Sequence, residues 1–208
     1  MDKFKVISIN RHRMYIDGKG INTLVALAGC PLKCKYCLNK KVLEINKWKE
    51  LLPEELASEV LIDYCYFLAT GGGITFGGGE ALLHSKQIKA FREVLPKDIP
   101  IKVETALNVP KERVLEVLDA VDEYIIDVKT LNPQIYQNYT GRSISLLLEN
   151  LEVLRQNHMQ SKCKIKIPNI PGFTTGKDVE TTILYVKSMG FENIEVFDYI
   201  IKEESESE

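Results

Sequence analysis

The chain has 208 residues, 45% hydrophobic and 27% charged, the balance of a globular protein with one sizeable core. Its formal net charge of -2 gives no electrostatic case for nucleic acid or an anionic membrane surface. No apolar run approaches the roughly 20 residues of a membrane span, and Met1 to Lys5 leads into no signal-type segment, so a cytoplasmic chain is expected.

In chain order, Phe4 to Ile9 and Met14 to Ile16 read as short strands joined by a basic turn at Arg11-His12-Arg13, and Asp17 to Gly20 as a turn. Leu24 to Ala28 is a continuous apolar run, as expected of a strand buried on both faces. A cysteine-rich loop follows it. Pro53 to Leu68 reads as a helix, with Pro53 in its first turn, Glu54 and Glu55 at its N-terminus, and Leu56, Val60 and Tyr64 on one face. Gly71 to Gly73 reads as a turn.

Strand and helix patterns then alternate. Ile74 to Phe76, Ile101 to Glu104, Tyr124 to Lys129, Lys164 to Ile167 and Ile194 to Phe197 are the strands. Helices are expected near Ser85–Leu95, Pro110–Leu118, Ile144–Asn157 and Asp178–Met189, with a polar loop from Asn132 to Arg142. Glu203 to Glu208 is an acidic tail. Strands alternating with helices imply an α/β fold with a parallel sheet and right-handed crossovers. Six such units are too few for a closed eight-stranded barrel. An open partial barrel and a doubly wound sheet both satisfy the pattern, in a single domain over 1–208 with an N-terminal hairpin lead-in over 1–20. Either way a ligand site lies at the carboxyl ends of the strands.

The polar features fall there. Cys30, Cys34 and Cys37 lie within eight residues, after the first strand of the alternating series. Thiolates at this spacing can ligate three irons of a four-iron cluster and leave the fourth open. Zinc is the alternative, but a structural zinc site wants four closed ligands, and His12, His84 and His158 are scattered. Cys65 and Cys163 are expected to be small buried hydrophobes. Tyr36 either packs on a ligand or fills the core of the loop. Gly77-Gly78-Gly79-Glu80 ends the next strand and is either a tight turn or a backbone surface that a ligand can approach closely. Glu104-Thr105, Asp127, Lys129 and Lys166 lie at or near the ends of the following strands.

The three-cysteine spacing with an aromatic before the last cysteine, and the Gly-Gly-Glu after the second strand, resemble the radical S-adenosylmethionine (SAM) superfamily. Within it the chain resembles the activating enzymes of glycyl radical enzymes, of the pyruvate formate-lyase activating type. Asp17-Gly18-Lys19-Gly20-Ile21, Thr75 to Leu83, Asp127-Val128-Lys129 with Tyr139-Thr140-Gly141, and Ile167 to Gly172 carry the narrower likeness.

The resemblance implies a partial (β/α)6 TIM-like barrel, an open parallel sheet with outer helices. It implies a [4Fe-4S] cluster on Cys30, Cys34 and Cys37, with SAM chelating the open iron. It places Tyr36 near the adenine, and Gly78, Gly79 and Glu80 at the methionyl end. Glu104 and Thr105 would lie near the SAM amino group, and Asp127 and Lys129 by its carboxylate and ribose. Thr105 and Asp127 would share a monovalent cation. Lys166 stands where the family often has Arg, or is a solvated strand-end lysine.

The implied activity is that of an anaerobic oxidoreductase. It cleaves SAM to a 5′-deoxyadenosyl radical and takes hydrogen from a glycine of a partner enzyme, with electrons from a flavodoxin- or ferredoxin-type donor. The alternatives are a radical SAM enzyme acting on another peptide or small molecule, and a zinc- or cluster-bearing binding protein. The chain departs from the family pattern at Lys19, where Pro is usual, and at Asn22, where Arg is common. It departs again at Asp198-Tyr199-Ile200, where Pro-Tyr-His is frequent. Lys40 to Leu52 contains no cysteine, so no ferredoxin-like insert is expected there.

Overall fold

A computed structural model describes residues 2–14 and 16–199. The expected acidic tail lies outside the described residues, as does Tyr15 in the second expected strand. One sheet runs through the molecule in the order β3 (Lys49–Leu51), β1 (Phe4–Met14), β2, β4, β5, β6, β7, β8. Six of these strands are mutually parallel: β2 (Ile21–Leu27), β4 (Ile74–Gly78), β5 (Ile101–Thr105), β6 (Glu123–Asp127), β7 (Cys163–Asn169) and β8 (Ile194–Asp198). Helices α4 (Ser85–Val94), α5 (Lys111–Leu115), α7 (Ser145–Gln156) and α8 (Gly176–Ser188) fall where the sequence patterns put them.

Alternation sorts each strand into two faces. Val25, Phe76, Val103, Ile126 and Ile165 are buried in one hydrophobic core beneath the helices. The other face carries Leu24, Thr75, Lys102, Glu104, Asp127 and Lys166, and forms the concave interior of an open barrel. Among the described residues no helix is long and apolar enough to cross a membrane.

Several elements depart from the sequence reading. The two N-terminal strands are one strand, β1 (Phe4–Met14), antiparallel to β2. Its register shifts between Val6 and Ser8 and again between Asn10 and Arg13, where His12 takes φ 58°. These bulges hide the period-2 signal. A short helix, α1 (Lys40–Ile45), and an edge strand, β3 (Lys49–Leu51), follow the cysteine loop.

The expected helix over Pro53–Leu68 is broken into α2 (Pro53–Val60), a 3₁₀ turn at Leu61–Asp63 and α3 (Tyr64–Thr70). The turn brings the fully buried Asp63 onto Arg11, whose Nε donates at 2.8 Å, and onto Thr23 Oγ1 at 2.9 Å. A tertiary ion pair thus decides a local conformation.

The expected polar loop from Asn132 to Arg142 is largely a helix, α6 (Pro133–Thr140). Asn132 caps it by accepting from the Gln134 and Ile135 amides, and Gly141 closes it in the left-handed conformation. Tyr136 and Tyr139 bury its inner face. Gly71 ends α3 as expected of a turn, but Gly72 is packed so closely that a Cβ would lie 1.8 Å from the Ile21 carbonyl oxygen. Cys163 is buried as expected; Cys65 is exposed, because α3 turns that side outward.

Candidate active site

The cysteine loop leaves the C-terminal end of β2 and is fastened mostly through its backbone. The Lys33 and Lys35 amides donate to the Thr140 and Tyr139 carbonyls at 2.8 and 3.1 Å, docking the loop on the end of α6. Arg142 Nε donates to the Pro31 carbonyl at 2.9 Å, and Tyr199 Oη to the Tyr36 carbonyl at 2.6 Å. Leu32 is its buried apolar anchor. Cys30 is exposed, Cys34 and Cys37 are half-buried, and all three are free thiols. The Cys30 thiol is pushed up to about 12, first by desolvation and then by the like charges of Glu80, Cys34 and Cys37. Desolvation also raises Cys34, against the pull of the Lys129 ammonium.

Tyr36 packs among Tyr139, Phe173 and Tyr199, with ring centroids 6.0, 5.7 and 6.3 Å away. These rings form the aromatic core of the loop.

The glycine run stitches β4 to this loop. Gly79 donates to the Leu27 carbonyl at 3.0 Å and Glu80 to the Gly29 carbonyl at 2.8 Å. A Cβ on Gly79 would lie 2.1 Å from the Gly29 oxygen, so the two loops meet backbone to backbone. Asn39 Nδ2 donates to the Gly78 carbonyl at 2.7 Å, closing the same seam from the far side of the cysteines.

Glu80 is buried, and both of its carboxylate oxygens are engaged. It accepts from Thr105 Oγ1 at 2.6 Å, the Ala106 amide at 3.0 Å and the Leu82 amide at 3.1 Å. Burial raises its pKa and these bonds oppose the rise. Glu80 and Thr105 are therefore brought together, but aimed at each other.

Glu104 is different. Its side chain crosses the inner face so closely that a Cβ on Gly77 would lie 2.3 Å from its Oε2. Burial first, then the charges of Asp17 and Asp127, push its carboxyl up to about 7, against the pull of Lys166 and Arg13. Lys129 lies 2.9 Å from the Asp127 carboxylate. Burial would lower the ammonium, but Asp127 and Cys34 together hold it raised. Lys166 pairs in register with Asp127 across β6 and β7, and its ammonium lies 4.9 Å from the Phe197 ring centroid.

Below the cysteine loop the interior opens into a cavity of about 460 Å³, lined among others by Arg13, Leu24, Ala26, Asn39, Gly78 and Glu104. Arg13 grips the buried Asp17 with its Nε at 2.5 Å and a second nitrogen at 2.8 Å. Sequence reasoning missed Arg13 and Asn39 as site residues. The bulge after Asn10 turns Arg13 inward, and a bulge leaves no periodic trace. Asn39 follows the last cysteine by only two positions, which was a usable signal.

The sequence profile of the radical SAM superfamily matches residues 24–186. Among curated proteins, the pyruvate formate-lyase 1-activating enzyme of Escherichia coli (strain K12) is 31% identical, over 88% of this chain and 76% of its own length. The isethionate sulfite-lyase activating enzyme of Desulfovibrio desulfuricans is 24% identical over 93% of this chain and 82% of its own. Among solved structures, Streptococcus suis SuiB bound to S-adenosylmethionine superposes with a TM-score of 0.65 at 13% identity, over 85% of this chain. This chain spans 39% of that SuiB chain, and the likeness shows the fold, an open barrel of the same kind. By profile match and by identity to its curated relatives, the chain belongs to the radical SAM superfamily and, within it, to the family of glycyl radical enzyme activating enzymes.

Proposed function

We propose that this protein activates a glycyl radical enzyme by abstracting a hydrogen atom from a backbone glycine of that partner. The observation that carries the reading is the convergence of three free cysteines, a glycine-rich strand end and a barrel cavity on one rim, in a chain with this family's sequence.

The residues fit a [4Fe-4S] cluster and SAM. Among the described residues no group of three or more His, Cys, Asp or Glu is spaced to hold a single metal ion. Three thiols set apart on one loop suit separate irons of a cluster better than one tetrahedral zinc. When bound, the cluster supplies one electron to the SAM sulfonium, which releases methionine and a 5′-deoxyadenosyl radical.

The protein's own residues do the rest. Cys30, Cys34 and Cys37 would ligate as thiolates, and metal binding would offset the raised pKa of Cys30 and Cys34. The ammonium of Lys129, held by Asp127, lowers the cost of charge at Cys34 and stands ready for a carboxylate. The backbone of Gly78 and Gly79 presents polar groups without side chains in the way. Glu80, locked by three hydrogen bonds, acts by fixing the β4–β5 junction, and Thr105 acts with it. Tyr36, wedged in its aromatic cluster, sets the depth of the loop. Glu104 and Lys166 face the interior, where they orient the bound molecules and keep water out. The exposed Lys33, Lys35, Lys40 and Lys41 surround the cysteine loop and suit an acidic flavodoxin- or ferredoxin-type donor.

The test is electron paramagnetic resonance on the anaerobically reconstituted protein mixed with SAM, a reductant and the partner. A glycine-centred doublet is expected. An intact cluster with 5′-deoxyadenosine release but no glycine signal would redirect the reading to another peptide or small-molecule substrate.

A further inference from the structure

We propose that His84 is the positioning residue for Cys30: its ring fixes the peptide plane through which the chain enters the first cluster ligand. This rests on the proposed cluster and adds a residue to the site.

The cysteine loop is held from two sides. The stretch bearing Cys34 and Cys37 is fastened to the Tyr139 and Thr140 carbonyls of α6 and to the Tyr199 hydroxyl. Cys30 lies on the other side, where the chain leaves β2. There three successive carbonyls each accept a hydrogen bond from the segment that ends β4 and follows it. Leu27 accepts from the Gly79 amide at 3.0 Å and Gly29 from the Glu80 amide at 2.8 Å. Between them Ala28 accepts from His84 Nε2 at 3.1 Å. His84 is the one side chain in this row of donors.

The middle bond of the row decides more than its neighbours do. The Ala28 amide donates to the Lys5 carbonyl at 2.9 Å, which fixes the peptide before Ala28. The Ala28–Gly29 peptide is held at its oxygen alone, because the Gly29 amide donates to no group among the described residues. Gly29 takes φ 91°, with no Cβ to limit its rotation, and Cys30 follows it directly. A peptide unit is planar, so a bond at its oxygen sets the direction of the whole plane. Without His84, the last peptide before the Gly29–Cys30 turn has no hydrogen bond of its own.

His84 is held as a rigid donor. It ends the 3₁₀ turn Ala81–His84, which Glu80 caps by accepting from the Leu82 amide. Its ring is buried and stacks on Phe4, with centroids 6.1 Å apart and planes 15° from parallel. A carbonyl only accepts, so Nε2 carries the proton and Nδ1 is a bare acceptor. That Nδ1 is buried and has no partner among the described residues. Burial lowers the pKa of the ring against the pull of the Ala28 bond, and the charges of Lys5 and Arg113 lower it further, so the imidazole is neutral at pH 7. A buried nitrogen without a partner is costly, and packing alone gives no reason to prefer imidazole to an apolar side chain here. The bond to Ala28 gives one. Groups that orient a ligand from behind tune a metal centre as the ligands themselves do.

The experiment compares the parent protein with His84→Leu and His84→Gln. Leucine removes the donor and the bare nitrogen together; the side-chain amide of glutamine restores the donor. In the apoproteins, amide hydrogen exchange at Gly79 and Glu80 is expected to quicken about fivefold in His84→Leu, the equivalent of one lost hydrogen bond, and to return to the parent rate in His84→Gln. After reconstitution, the electron paramagnetic resonance of the reduced cluster is expected to show shifted g values in His84→Leu alone. Urea midpoints of the three apoproteins should stay close, since the lost bond is offset by the loss of the unpartnered nitrogen. Parent-like exchange and g values in His84→Leu overturn the inference and leave the cluster standing. Changes that His84→Gln does not restore, or that come only with a fallen urea midpoint, also overturn it, because His84 is then a packing residue. If the parent protein itself assembles no four-iron cluster, the cluster reading fails and this inference with it.

Discussion

The two ends of the barrel interior are both rich in charge, yet they are built on opposite rules. At the N-terminal end the charged and amide side chains are answered, and Thr75 Oγ1, in register with Lys102, is the one buried hydroxyl there without a partner among the described residues. Lys102 Nζ donates to the Asp17 and Lys19 carbonyls at 3.1 and 3.2 Å and to Asn22 Oδ1 at 2.9 Å. Asn22 also accepts from the Gly73 amide at 3.0 Å and donates to the Lys19 and Gly20 carbonyls at 3.1 Å each. Lys102 and Asn22 together hold the lead-in turn in a chain that has Lys19 and Asn22 where its family commonly has Pro and Arg. At the C-terminal rim the thiols are free and Glu104 is raised by burial with no hydrogen bond among its causes. Charge inside a barrel does not mark a site; ionisable groups left without a partner do.

The contrast breaks most severely at the cysteines. Cys34→Ala is expected to abolish the cluster's charge-transfer absorbance and SAM cleavage together, with the fold intact by circular dichroism. Retained absorbance would reject Cys34 as a ligand. Next comes the seam. In Gly79→Ala the new methyl meets the backbone oxygens of Gly29 and Leu27 at 2.1 and 2.8 Å, atoms that move only if the cysteine loop moves. Cluster content after reconstitution should fall severalfold. In Gly77→Ala the methyl meets a flexible carboxylate, so cluster content should stay close to that of the parent protein. Equal iron content in the two variants would remove the distinction between a glycine held against backbone and one held against a movable side chain.

Much of this layout was legible in the sequence. Continuous apolar runs and their spacing identify the parallel strands, and the position of each charge relative to a strand end predicts which rim it joins. What escaped did so for identifiable physical reasons. α6 contains Asn, two Tyr and Thr, whose weak propensities read as loop. Its signals were the Asn132-Pro133 cap and Gly141, which outrank composition. The break at Leu61–Asp63 depends on Arg11, some fifty positions earlier, and no local window contains both residues. Arg13 faces inward because a bulge shifts the alternation by one. Glu80 and Thr105 both belong to the site region, but that they are bonded to each other is a fact of packing between β4 and β5.

At the opposite end the expected effect is on stability rather than chemistry. Lys102→Met keeps the buried stem and removes three charge-assisted bonds; Asn22 Oδ1 keeps the Gly73 amide and the Lys19 carbonyl keeps Asn22 Nδ2, so the Asp17 carbonyl is the acceptor left without a donor. Hydrogen bonds to charged groups are worth about 1.5–3 kcal/mol each, and Met recovers part of the packing, so a net loss of about 2–3 kcal/mol is expected in urea unfolding. Absorbance of the reconstituted cluster should be unaffected. A cluster lost in step with this substitution would mean that the two ends are not independent.

The smallest effect tests the unanswered carboxyl itself. Glu104 is held at about 7 in the folded protein against an ordinary value of 4.5, so the folded state binds the proton more tightly than the unfolded chain. Below pH 4.5 both states are protonated and the stabilising difference is fully present. As pH rises from about 4.5 toward 7 the unfolded chain sheds its proton first, and stability falls; above 7 the loss is complete. Glu104→Gln removes this term, so its urea midpoint should vary less across that window than that of the parent protein. Acid-side changes from Asp63, whose carboxyl is lowered chiefly by Arg11, run in the opposite sense and lie below the ordinary Asp value of 3.8, so the two are separable by pH. If the two proteins track each other from pH 4.5 to 7, Glu104 is answered after all, and the contrast between the ends of the barrel narrows to the cysteines alone.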